Sequence, residues 1–522
     1  MSDKKVMLII LDGWGLSGSE MGNAPFQAKT PTLDSVYQRY PKTSLSASGI
    51  EVGLTPGEPG NSEVGHMNIG TGRVVWESLP RIDQDIENKT LDENEVLAKS
   101  AEYSKKNDKT VHLVGLVSDG GVHSHIRHLI ALCRILSQRG VARLRIHFIS
   151  DGRDTEARAA EKYLNQIEAE LSALEDCKIA TMIGRFFAMD RDKNWERIRA
   201  ATELFFDNTG KQYLTAEEAI RANYAEKHDD ENMDASVIGE GAKIESGDSV
   251  LLFNFRADRA KQLLSAFCGK VDGIIPPKDL NLVTMTQYQK DQTVPMVFPA
   301  IDLDNTLPEV VAAENLSQFH TAETEKFAHV TYFFNAGKEM GQKGEDDELV
   351  PSKKVASYAK SPEMSAKEIT AKVIGAIKKN ENLIVVNYAN GDMVGHTGDD
   401  RAAILACEEV DKNLAQVFAE ASVAGYKVIL TADHGNCELM INEQTKSPNK
   451  EHTTNSVPFV YLDFLKRPFE MSESEFTKDE YIQYCMGTPI GVLADIAPSV
   501  LANLGVKQPA DMSGMDLTTA MI

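Results

Sequence analysis

Val6-Met-Leu-Ile-Ile-Leu11 runs directly into Asp12-Gly-Trp-Gly15. A short apolar run closed by a turn signal reads as a strand buried on both faces, and here a carboxylate stands at its exit. The same arrangement recurs far down the chain. Leu383–Tyr388 leads into Ala-Asn-Gly-Asp392-Met-Val-Gly-His396, and Lys427–Thr431 leads into Ala-Asp433-His434-Gly-Asn436. Longer amphipathic stretches of helical period lie between such runs. This alternation predicts an α/β protein with mostly parallel strands. Ligands of open α/β sheets gather beyond the carboxyl ends of the strands, so chemistry is expected at these exits.

A second set of runs occupies the middle of the chain and exits differently. Val111–Val117 leads to His123, Leu144–Ile149 to Asp151-Gly-Arg153-Asp154, and Ile179–Ile183 to Arg185 and then Asp190-Arg191-Asp192. Ser249–Phe255 leads to Arg256-Ala-Asp-Arg259. Arginine grips carboxylate and phosphate with a planar fork of donors, so the middle set reads as an oxyanion site. If the outer exits share one site, the two ends of the chain fold together around an inserted middle domain. Pro-bearing segments at Trp76–Pro80 and Pro299–Pro308 are plausible crossings. The expected division is 1–77 with 305–522, and 78–304. The segment Gly344–Glu348 reads as a short acidic, solvated turn.

Composition narrows the partners. The 522 residues carry a net charge of −23, a field that repels nucleic acid and anionic membranes. An anionic ligand therefore needs local cations or metals. Six cysteines without a CxxC pair fit reduced thiols. Lys4 and Lys5 precede an apolar run too short for a signal core, and no stretch is long enough to span a bilayer. The expectation is a cytoplasmic chain whose partner is a small molecule.

The outer exits, together with Ser62 and His452, assemble Asp12, Ser62, Asp392, His396, Asp433, His434 and His452. Two divalent ions need about this many protein ligands, with positions left for water or phosphate. Mixed carboxylate and imidazole ligation suits Mn, Zn, Fe or Co and disfavours a pure Mg site. Each residue also has a plain structural reading. A lone strand-end Asp is often a helix N-cap, and His452 is readable as a loop histidine. In Pro56-Gly-Glu-Pro-Gly-Asn-Ser62-Glu-Val-Gly-His66, either Asn61 or Ser62 caps a helix. The same geometry presents a serine oxygen beside free N–H groups and a positive dipole end, which favours phosphate.

Met7 to Gly15, Gly60-Asn-Ser62-Glu-Val-Gly-His66, Ser150-Asp-Gly-Arg153-Asp154, Asn254-Phe-Arg256-Ala-Asp-Arg259, Glu325-Lys326-Phe-Ala-His-Val-Thr and Thr431-Ala-Asp433-His434-Gly-Asn436 closely resemble the cofactor-independent phosphoglycerate mutases. The Asp-His-Gly part is shared across the wider alkaline-phosphatase superfamily. One departure is Ser456, where the family pattern has proline. The resemblance implies a discontinuous alkaline-phosphatase-like metal domain with an inserted α/β phosphotransferase domain. It implies one metal held by Asp392, His396 and His452, another by Asp12, Ser62, Asp433 and His434, with manganese the usual ion. It assigns substrate binding to His123, Arg153, Asp154, Arg185, Arg191, Arg256, Arg259 and Lys326. Ser62 would carry the phosphoryl group as phosphoserine, with Asp154 and Lys326 assisting. A monomeric isomerase of glycolysis and gluconeogenesis is the activity implied. Spacing alone leaves Lys326 a surface residue after no clear strand.

Overall fold

The computed structural model describes residues 4–519 except 302, 340, 443 and 473–475. The chain forms two compact units, Met1–Glu77 with Asp302–Ile522, and Ser78–Ile301. Each contains an eight-stranded sheet, so the α/β class expected from the alternating runs is the class observed.

In the first unit the strand order is Glu345–Val350, Gln318–Glu323, Leu383–Tyr388, Val6–Leu11, Lys427–Thr431, Val457–Asp463, Lys42–Ser46 and Gly491–Val492. The first five are mutually parallel, and Val457–Asp463 is antiparallel to both of its neighbours. Val6–Leu11 is central and fully buried, as its unbroken apolar run requires. Leu11 pairs with Tyr388 and Ile10 with Thr431, so three strands from distant parts of the sequence end side by side. That register alone brings Asp12, the loop to Asp392, and Asp433 to one edge of the unit.

Two sequence expectations change here. Glu345–Val350 is an edge strand rather than a solvated turn. It pairs in parallel with Gln318–Glu323, and its outward acids meet lysines: Glu348 with Lys372 at 2.6 Å and Asp346 with Lys379 at 3.2 Å. Charges on an edge strand discourage pairing with a second chain. Gln318–Glu323 is itself a wholly buried strand that the sequence concealed, because Gln-Phe-His-Thr-Ala-Glu carries polar groups at most positions. Those groups are satisfied locally. His320 Nδ1 lies 2.8 Å from the Val330 carbonyl, and Gln318 Nε2 donates to the Pro308 carbonyl at 3.0 Å.

The second unit orders its strands Met296–Phe298, Asn281–Thr286, Ser249–Leu252, Val111–Leu116, Leu144–Ser150, Cys177–Gly184, Ser236–Ile238 and Lys211–Tyr213. Alternate residues of Val111–Leu116 enter different cores: Leu113 joins the cluster with Leu129 and Phe148, and Val114 joins the cluster with Leu204 and Phe205. Both faces are thus covered. The run expected over Ser249–Phe255 ends as a strand at Leu252. Beyond it the Asn254 side chain takes the Leu116 N–H at 2.9 Å, so a side chain replaces the next ladder bond.

Candidate active site

In the first unit, the local signal around Ser62 resolves cleanly. Asn61 is the N-cap of helix Ser62–Thr71, its side chain accepting from the Val64 N–H, so Ser62 takes the first helical position with its hydroxyl free for other work. Ser62 Oγ lies 2.9 Å from His434 Nε2 and accepts from Lys326 Nζ at 2.6 Å. Lys326, 4 % exposed, also contacts Asp12 Oδ1 at 2.7 Å and Asp392 Oδ2 at 2.6 Å. It follows the concealed strand Gln318–Glu323 in a turn closed by Lys326 N–H to the Glu323 carbonyl at 2.8 Å. Burial works against its ammonium, yet Asp12, Asp392 and Asp433 drive its pKa above the ordinary lysine value. Asp12 moves upward through burial and the neighbouring Asp433 charge. Burial opposes ionisation of Asp433 too, but His434 and His66 hold it well below the usual carboxylate range.

Asp392 and His396 stand one turn apart, and the spacing does put both on one face: His396 Nε2 is 3.2 Å from Asp392 Oδ1. His452 Nε2 is 3.1 Å from the same oxygen and 3.0 Å from His396 Nε2. The opposite nitrogens explain why that matters. His396 Nδ1 donates to the Lys450 carbonyl at 2.7 Å, and His452 Nδ1 to the Gly60 carbonyl at 2.8 Å. A carbonyl only accepts, so each neutral ring keeps a bare lone pair on Nε2, and the two lone pairs face each other beside a carboxylate. A cation satisfies that arrangement. Asp433 Oδ2 is buried without a hydrogen-bond partner. Two donor sets each lie within one ion's reach: Asp392, His434 and His452, and Asp12, Asp433 and His434. These carboxylate and imidazole groups fit divalent transition-metal ions.

In the second unit, Arg185 is buried and its Nη1 contacts Asp151 Oδ1 at 2.6 Å and Asp154 Oδ2 at 2.5 Å. Asp151 also accepts from Ser118 Oγ at 2.6 Å and from the Asp154 N–H at 3.0 Å, which sets the turn carrying Arg153 and Asp154. A cavity of about 260 Å³ is lined by Arg153, Arg185, Arg191 and Arg259, and also by Arg197, five guanidinium groups against the three acids Asp190, Asp192 and Glu231 on the same wall. Burial, then repulsion from Arg153, Arg185 and Arg191, pulls the Arg259 pKa below its ordinary value. Such crowding of like charge favours an anion. His123 stands 3.9 Å from Asp154 Oδ2, and Arg256 Nε lies 3.3 Å from Asp258 Oδ1.

Residues 82–290 match the family model described as the BPG-independent PGAM N-terminus. The 2,3-bisphosphoglycerate-independent phosphoglycerate mutase of Francisella tularensis subsp. novicida (strain U112) is 42% identical over 519 residues, covering 98% of each chain. That of Clostridium novyi (strain NT) is 43% identical over 525 residues, 99% of this chain and 100% of the relative. The chain belongs to the 2,3-bisphosphoglycerate-independent phosphoglycerate mutases. A solved structure of Leishmania mexicana phosphoglycerate mutase, at low cobalt concentration, aligns with a TM-score of 0.54 at 29% identity, over 98% of this chain and 97% of the other.

Around the candidate site of this phosphoglycerate mutase, an isomerase, stand residues that spacing did not reveal. Asn387 interrupts the apolar strand Leu383–Tyr388 and donates to Asp12 Oδ2 at 2.6 Å; a polar residue in that run was a readable signal. His66 sits 3.3 Å from Asp433 Oδ2. Glu438 is fully buried and accepts from the Gly15 N–H at 3.2 Å, the Asn436 N–H at 2.8 Å and Asn455 Nδ2 at 2.9 Å, and from the Thr453 hydroxyl. A Cβ on Gly15 would fall on the Glu438 carboxylate and one on Gly435 on the Thr453 hydroxyl and that same carboxylate, so neither glycine can be replaced without displacing this buried hydrogen-bonded pair. Nothing in the sequence around Glu438 signalled this.

Proposed function

We propose that this mutase interconverts 3-phosphoglycerate and 2-phosphoglycerate through a phosphoserine at Ser62, without bisphosphoglycerate. The observation that carries the reading is Ser62 Oγ at a helix N-terminus, 2.9 Å from His434 Nε2 and 2.6 Å from Lys326 Nζ, amid converging acids and imidazoles. Asp392, His396 and His452 would hold one divalent ion, and Asp12, Ser62, Asp433 and His434 the other; manganese suits the donors. When bound, such ions supply positive charge that eases serine deprotonation and draws charge off the phosphoryl oxygens.

The chain's own groups account for the rest. Ser62 Oγ, entering without its proton, attacks phosphorus, the bond from phosphorus to the glycerate oxygen breaks, and Asp154, entering protonated, gives its proton to that oxygen. The second glycerate hydroxyl then gives its proton to Asp154 and attacks the phosphoserine, releasing Ser62. Lys326 Nζ neutralises charge at Ser62 Oγ. Arg153, Arg185, Arg191, Arg256 and Arg259 hold the phosphate and carboxylate of the substrate, and His123, beside Asp154, meets the glycerate hydroxyls. In this reading residues 1–77 and 305–522 form the metal-binding, phosphatase-like domain and 78–304 the phosphotransferase domain. The arginine cluster is what separates mutase from phosphatase. The enzyme would serve glycolysis and gluconeogenesis as a cytoplasmic monomer; among the described residues no helix is long and apolar enough to cross a membrane.

Manganese-loaded protein incubated with 3-phosphoglycerate alone is expected to yield 2-phosphoglycerate and no inorganic phosphate. Stoichiometric phosphate release would make it a phosphatase instead.

A further inference from the structure

We propose that Asp258 is a positioning residue that fixes the ring proton of His123 on Nδ1 and leaves Nε2 a bare acceptor facing Asp154. The inference rests on the reading of His123 and Asp154 as groups that meet the glycerate hydroxyls.

Asp258 lies between two arginines in Arg256-Ala-Asp258-Arg259. Its Oδ2 accepts from Arg191 Nη1 at 3.2 Å, and its Oδ1 lies 3.3 Å from Arg256 Nε and 3.6 Å from His123 Nδ1. The backbone sets that separation. The Phe255 N–H donates to the His123 carbonyl at 2.8 Å, and the Arg256 N–H approaches the same oxygen at 3.4 Å. His123 Nδ1 and Asp258 Oδ1 are both buried, and neither makes a hydrogen bond, although Arg256 Nε lies 3.3 Å from Oδ1. A small ring rotation would close one bond and satisfy both atoms. The other ring nitrogen, Nε2, faces Asp154 Oδ2 at 3.9 Å, an oxygen that already receives Arg185 Nη1.

Burial, together with the Arg185 charge, holds the His123 pKa down to about 4, so the ring is neutral and carries one proton. That proton faces a carboxylate on either side. Placed on Nδ1, it meets Asp258, the nearer and less satisfied acceptor. Placed on Nε2, it would donate to Asp154 and occupy the carboxylate that must take a hydroxyl proton, while the Nδ1 lone pair faced the Asp258 carboxylate unpaired. Only the first tautomer leaves Nε2 and Asp154 as two acceptors flanking one place for a hydroxyl hydrogen. Asp258 thereby keeps Asp154 open, and its hold on Arg191 and Arg256 keeps its own carboxylate ionised and aimed.

The tautomer is directly readable. Protein with ¹⁵N-labelled histidine gives long-range ¹H–¹⁵N correlations that distinguish Nδ1–H from Nε2–H, and His123→Gln assigns the signal. Wild-type protein is expected to show His123 as Nδ1–H. Asp258→Asn is expected to shift it toward Nε2–H and to lower kcat at least tenfold with KM within threefold, and Asp258→Glu to recover part of kcat. A wild-type Nε2–H tautomer overturns the proposal without need of any variant. So does an Asp258→Asn protein with His123 unmoved, or one whose KM rises while kcat holds. The tautomer is measured without turnover. A chain that failed to convert 3-phosphoglycerate would sink the reaction assignment, while the NMR result still decides this one.

Discussion

Ser62 and Glu438 show two ways in which one side chain can matter. Ser62 has two proposed tasks, nucleophile and ion ligand, and no structural one, so Ser62→Ala should lower kcat on the order of 10⁴-fold or more, the scale of deleting a nucleophile, with an unchanged melting temperature in the ion-free protein. Steady-state conversion of 3-phosphoglycerate and a thermal melt read the two quantities; retained turnover would end the phosphoserine route. Glu438 has no proposed chemistry. It is a buried acceptor for donors on the loop after Val6–Leu11, on the Asp433-His434 turn and on the His452 loop. Glu438→Ala orphans those donors together, and each buried unsatisfied group costs about 1–3 kcal/mol. A loss of at least about 3 kcal/mol in urea unfolding is expected. The sequence exposed Ser62 because its motif combines glycine, proline and a cap. It hid Glu438 because an acid beside an apolar pair looks like any surface acid, and its burial depends on loops brought in from elsewhere.

At the scale of elements, legibility followed apolarity. Val6–Leu11, Leu383–Tyr388 and Lys427–Thr431 have the bounds that their runs predict, because parallel strands between helical layers must be apolar throughout. Gln318–Glu323 obeys the same burial with polar residues whose partners lie on other segments, so no local pattern gave it away. Lys326 was therefore read without the strand that delivers it. Helix Ser62–Thr71 carries the clearest prediction at this scale. Its Asn61 cap satisfies the Val64 N–H, so Asn61→Ala should cost about 1 kcal/mol of stability and Asn61→Ser little. Because the cap also fixes the first turn, kcat should fall further than the stability loss explains. Equal activity in Asn61→Ala would show that the first turn holds Ser62 without it.

At the scale of the molecule, charge sets two expectations. His112, His123, His125, His128 and His147, all in the second unit, are held below their ordinary value of 6.5, each chiefly by burial, with His123 and His125 brought to about 4. Above about pH 6.5 these rings are neutral in both folded and unfolded chains. Below it the unfolded chain binds protons that the native rings refuse, so stability should fall as pH drops from about 6.5 toward 4. Urea midpoints of the ion-free protein across that range check this; Asp392 raises His396 and His452 against the trend, and midpoints that climb as pH falls would contradict the dominance of the five buried rings. Chelation is expected to abolish mutase activity and lower the melting temperature, and added manganese to restore both, since a ligand bound only by the native state stabilises it. The two-sheet architecture was legible because its central strands are apolar, whereas the arginine cavity's extra member, Arg197, was not. It reaches the cavity by stacking on Phe186, its guanidinium carbon 3.7 Å from the ring centroid, from a helix whose pattern marks only a solvated face. The central position of Val6–Leu11 has a consequence for biosynthesis. Its hydrogen-bonding neighbours are Leu383–Tyr388 and Lys427–Thr431, so this strand is made long before either partner. At roughly 5–20 residues per second, a ribosome leaves that apolar segment waiting on the order of 20–80 s. Before that interval ends the contiguous second unit is complete and free to fold, while the hexapeptide Val6–Leu11 is the segment a nascent-chain chaperone would have to shield.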